Sequence, residues 1–126
     1  MTAARYREIK RRVEELTTHW EGRLGIERFA KVRHVFVEDH HEDPDQVADT
    51  EILWQYRSAK ITFYLPPLST LQDDTLEESV VHEYVHILVA AMEQHVGNGC
   101  EEQVEYAVEN VTQALLAATG YSRANA

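Results

Sequence analysis

The 126-residue chain predicts an α+β fold, with one helix, three short strands and then two further helices in a single domain spanning 1–126. Apolar residues recur at helical spacing near the N-terminus, β-branched and aromatic residues crowd three short runs before Pro66, and a helical period returns after Pro67. With 44% hydrophobic residues, a chain of this length can bury one core without disulfides or repeats.

Tyr6, Ile9, Val13, Leu16 and Trp20 stand three and four apart with charges between them, so residues 5–21 form an amphipathic helix broken by Gly22 and Gly25. Phe29, Val32, Val35 and Val37 mark a strand over 29–37. Residues 38–46 are polar, contain Pro44, and form a surface loop. The runs 51–57 and 60–65 are strand-prone and only Ser58 and Ala59 separate them, which predicts a tight hairpin. Pro66 and Pro67 end its second strand, because proline cannot donate to a ladder.

A capping-box spacing from Thr75 to Glu78 opens the next helix, which is apolar on nearly every side and is expected to continue to His95 and Val96 before Gly97. The last helix follows Asn98 and Gly99, buries a stripe of Val104, Ala107, Val108, Val111 and Leu115, and ends near Gly120.

The net charge of −10 argues against nucleic acid as a partner. It is unevenly spread: residues 1–33 carry nine Lys and Arg against five Glu, a balance of +4, which leaves −14 for the rest. The simplest consequence is a basic first helix attracted to the acidic body of its own domain. No stretch reaches the roughly 20 apolar residues that cross a bilayer, so no membrane role is expected. Cys100 is the sole cysteine and no signal-peptide pattern opens the chain, so the expected location is cytoplasmic.

The chemistry concentrates at His82-Glu83-Tyr84-Val85-His86. Two histidines four apart on a helix lie about 40° apart around the axis and can grip one ion. Glu83 lies a further 60° or so round, where it reaches a metal-bound water as general base. Imidazole donors and an open fourth position suit Zn2+. Three ionisable groups in an oily helix would each cost several kcal/mol if left without partners, at about the scale of a buried unpaired polar group.

A third ligand is expected from the acid-rich start of the last helix. With the inward direction set by Val104 to Val111, Glu101 lies about 70° away, Glu105 about 110°, Glu109 about 150° and Glu102 about 170°. Glu101 is therefore the favoured ligand. Glu105, one turn later, is expected to accept from the other nitrogen of a ligating histidine. Glu102 and Glu105 stay open as alternative ligands, and Glu109 reads as solvated.

This pattern, HEYVH on a buried helix followed by Glu101-Glu102-Gln103-Val104-Glu105, resembles the gluzincin branch of the zincin metallopeptidases, and among them the minigluzincins and phage-type minimal zincins. The resemblance implies a minimal zincin fold: an N-terminal helix, a small three- or four-stranded mixed sheet, an active-site helix and a glutamate helix. It implies a zinc peptidase, active or latent, that hydrolyses a peptide or protein substrate through water activated by zinc and Glu83. An edge strand beside the active helix would hold the substrate, and residues 51–57 with Trp54 are the candidate. Tyr106, Tyr121 and His95 are candidates for stabilising the oxyanion. The alternative function is a non-catalytic module of phage type that keeps zinc for stability. His40 and His41 lie beside Asp39 and Asp43 in a loop of the sort usually only solvated.

Overall fold

A computed structural model describes residues 2–90 and 99–119 of the chain. Helix α1 (Thr2–Leu24) turns Ile9, Val13, Leu16 and Trp20 inward, all buried. Gly22 stays within the helix. Gly25 ends it, in the left-handed conformation at φ 62°, which costs glycine no Cβ clash. A single 3-10 turn, Ile26–Arg28, leads to β1 (Lys31–Val37). Phe29, expected in that strand, precedes it and is 51% exposed.

The expected hairpin forms, displaced along the chain. Its strands are β2 (Ala48–Leu53) and β3 (Ser58–Tyr64), and the turn consists of a 3-10 segment, Trp54–Tyr56, with Arg57 at φ 53°. Trp54 and Tyr56 belong to the reversal, although aromatic residues favour strands, and Ser58 and Ala59 begin β3. Strand order is β1-β3-β2, with β1 parallel and β2 antiparallel to β3, a three-stranded mixed sheet.

Register sorts the sheet into two faces. Val32, His34 and Phe36, then Ala59, Ile61 and Phe63, then Ala48, Thr50 and Ile52 lie on the helix side, where Phe36 stacks on Phe63 at 5.3 Å. Asp49, Glu51 and Leu53 of β2 lie on the opposite face with Lys60, Thr62 and Tyr64 of β3.

Leu65–Leu68 form a single helical turn, α2, with proline at its start, where a missing N–H costs nothing. Helix α3 (Asp73–Leu88) follows Gln72, whose side chain makes no capping bond. The Thr75–Glu78 capping box does not form, because Thr75 already lies inside the helix. Asp73 and Asp74 favour this end through the helix dipole instead. Helix α3 is broken at Val89, a turn residue, and Ala90 is again helical; the remainder of the expected run to Val96, residues 91–98, lies outside the described residues.

Helix α4 (Glu101–Thr119) packs on α3. Its inward side is turned from the expected one: Val108, Thr112 and Leu116 are buried, while Ala107 is exposed and Val111 is 43% exposed. The helix pairs are joined by polar contacts as well as apolar ones. Trp20 Nε1 donates to buried Glu77 at 2.7 Å, tying α1 to α3. Arg12 pairs with Asp73, Arg5 donates to Ser69 O at 2.7 Å, and Lys10 lies over the Phe36 ring. The basic first helix thus spends several of its cations on its own domain. Among the described residues, no helix is long and apolar enough to cross a membrane.

Candidate metal centre

Helix α3 is buried on most sides, so each residue of the HEYVH stretch meets a different neighbour. Tyr84 is fully buried toward α1 and β1, with its hydroxyl 3.1 Å from His34 Nε2. Burial, and next the charge of Glu21, pushes the Tyr84 phenol up. Val85 fills the core. Glu83 turns toward β2, where Thr50 Oγ1 donates to its Oε1 at 2.6 Å. His82 and His86 turn toward α4 with ring centroids 5.0 Å apart.

The two rings converge on one carboxylate. Glu105 Oε1 lies 2.9 Å from His86 Nε2 and Glu105 Oε2 lies 3.5 Å from His82 Nε2. On its other side, His82 Nδ1 is 3.3 Å from Glu109 Oε2. Among the described residues, His82, His86 and Glu105 form the group that could hold a metal ion, with ligand atoms within 4.8 Å of one another. A tetrahedral zinc ion with bonds of about 2.0–2.1 Å needs donor separations of roughly 3.4 Å. The donor chemistry suits such an ion, and with separations of up to 4.8 Å the three side chains would draw together around it.

Glu101, the favoured third ligand from the sequence, stands elsewhere. It is exposed, and its Oε2 accepts from the Gly99 N–H at 2.9 Å, at the start of α4. Rotation and height of α4 act differently on these acids. Centring α4 on Val104, Val108, Thr112, Leu115 and Leu116 rotates the inward direction by about 60°, which brings Glu105 and Glu109 toward α3. The same rotation favours Glu101 still more, so angle alone does not select the ligand. Height does: α4 runs antiparallel to α3, pairing Glu105 with His86 and Glu109 with His82, and Glu101 lies one turn, about 6 Å, beyond. Glu105 thus takes the position expected of Glu101, and Glu109, read as solvated, takes the position expected of Glu105. Glu102 is exposed. The sequence held a partial signal: Glu101, Glu105 and Glu109 recur at the four-residue spacing of His82 and His86, which fits either adjacent pair of acids.

Glu83 is 7% exposed, and burial pushes its carboxyl above the usual carboxylate range. The Thr50 bond and the two histidines pull it back, and nearby Asp49 adds to the rise. Asp49 itself accepts from Tyr64 Oη at 2.6 Å and lies 3.9 Å from His41 Nε2. His41 packs edge-on against Tyr64 at 5.4 Å, so the polar loop folds back beside β2. Tyr106 is 73% exposed, and the other oxyanion candidates, His95 and Tyr121, lie outside the described residues.

Hollows among the described residues lie away from the candidate metal donors. One of about 530 Å³ is bordered by Ile52, Ile87 and Leu88, one of about 380 Å³ by Lys31, Arg33, Glu51 and Lys60, and a third of about 510 Å³ by Arg11, Glu14 and His19. None includes His82, His86 or Glu105, which meet instead at the α3–α4 seam. Compared with protein-family models, curated proteins and solved structures, the chain matches none.

Proposed function

We propose that this chain is a zinc peptidase of the minimal gluzincin kind, in which His82, His86 and Glu105 hold the ion and Glu83 is the general base. The observation that carries this reading is the approach of both Nε2 atoms to the Glu105 carboxylate, with Glu83 buried on the same helix. A zinc ion bound there would supply Lewis acidity to a scissile carbonyl and to water. Glu109 keeps His82 in one orientation by approaching Nδ1, which leaves Nε2 as the donor. Glu83 has one oxygen fixed by Thr50, so its second oxygen takes the proton from water and returns it to the departing nitrogen. Its raised affinity for a proton suits a base that must also act as an acid. β2 lies against α3, and a peptide laid along its outer edge would run past Glu83.

Glu83→Gln tests the reading. The variant is expected to keep its zinc and to melt within about 1 kcal/mol of wild type, as volume-conserving swaps do, while cleavage of a mixed peptide library disappears. If wild type holds zinc and cuts nothing in such a library, the site is a zinc-stabilised module and the enzymatic reading fails.

A further inference from the structure

The side chains of β2 select what lies along it. We propose that the outer edge of β2 selects extended peptides carrying basic side chains at alternate positions, one opposite Asp49 and the next opposite Glu51. The inference rests on the peptidase reading only for where cleavage would fall.

The Tyr64 N–H donates to Val47 O at 2.9 Å, which fixes the phase of the antiparallel ladder. Residues 47, 49, 51 and 53 therefore face β3, and the backbone groups of 48, 50 and 52 face outward. Among the described residues β2 has no second strand partner. The Gln46 side chain occupies the Ala48 carbonyl, so the free edge begins at Thr50. A peptide added antiparallel here bonds to Thr50 and Ile52. Its residues opposite Asp49 and Glu51 fall at the closer, non-hydrogen-bonded positions, where side chains interact most strongly.

Those two carboxylates are two residues apart on one face and both remain available. The contacts of Asp49 with Tyr64 and His41 fall on Oδ2. Glu51 meets Lys60 at 3.4 Å through Oε2 and its side chain is 78% exposed. Opposite charges across a strand pair are favourable and like charges are not. The loop leading into β2 contributes Glu38, Asp39, Glu42, Asp43 and Asp45, of the same sign, while Lys31, Arg33 and Lys60 border Glu51 on its inner side, away from the outer edge. The peptide residue between the two basic ones lies opposite Thr50, which holds Glu83.

The test uses full-length Glu83→Gln protein and fluorescent octapeptides that differ only in Lys-Val-Lys, Lys-Lys-Val, Gln-Val-Gln or Glu-Val-Glu at their centre. Anisotropy titrations at low salt are expected to give the Lys-Val-Lys peptide about ten-fold tighter binding than the other three. Adding Asp49→Asn and Glu51→Gln removes that advantage, and Glu51→Gln alone removes about half of it on a logarithmic scale. Equal binding of alternate and adjacent lysines would mean bulk charge attraction and would overturn the proposal, as would a preference that survives the double substitution. Tight Lys-Val-Lys binding with no cleavage by wild type supports this inference while defeating the peptidase reading. Cleavage indifferent to lysine placement does the reverse.

Discussion

Glu105 and Glu109 face His86 and His82 as two rungs of one antiparallel ladder, and each acid does a different job. Removing Glu109 leaves the donor set intact but frees His82 to turn, so Glu109→Ala should weaken zinc affinity about 10–100-fold, measured by competition with a chromogenic chelator. Tyr64 offers a second check at this scale. Its hydrogen bond to Asp49, with some burial, pushes the phenol up to about 12, well above its ordinary value. The folded state thus holds the proton more tightly than the unfolded one. The stability from this bond is complete below the unfolded value and is lost as pH rises through the folded one. An ultraviolet phenolate titration should show Tyr64 titrating late alongside buried Tyr84, and Asp49→Asn should bring only Tyr64 back toward the ordinary value. The spacing of His82, Glu83 and His86 was legible in the sequence because one helical turn sets it. The approach of Glu105 rather than Glu101 was not, since it depends on the height at which α4 lies along α3.

At the scale of elements, long periodic segments were easy to read and reversals were not. Helix α1 follows from the spacing of Ile9, Val13, Leu16 and Trp20, all of which are buried. The turn at Trp54–Tyr56 carries strand-prone aromatic residues, so local preference placed the hairpin several residues late. Arg57 completes that turn in the left-handed region at φ 53°, where a Cβ is strained. Arg57→Gly should therefore stabilise the protein by about 0.5–1 kcal/mol, read from the urea midpoint at unchanged slope. The stripe of α4 misled for a different reason. Val111 is apolar yet 43% exposed, while Thr112 is polar and fully buried, so hydropathy alone pointed the helix in the wrong direction.

Over the whole molecule, the α+β class and the mixed sheet follow from the order of elements, and the topology puts the functional groups in one place. α3 lies between its neighbours, receiving Thr50 from β2 on one side and Glu105 with Glu109 from α4 on another. Residues far apart in the chain thereby surround a segment of five. Three cations of α1, Arg5, Arg12 and Lys10, bind intramolecularly through Ser69, Asp73 and Phe36. Zinc content after dialysis tests the centre of this account most directly, with wild type, Glu105→Ala and Glu101→Ala measured side by side. Wild type and Glu101→Ala should each retain about one zinc per chain and Glu105→Ala almost none, as expected for loss of one of three protein ligands. Zinc retained by Glu105→Ala and lost from Glu101→Ala would contradict it.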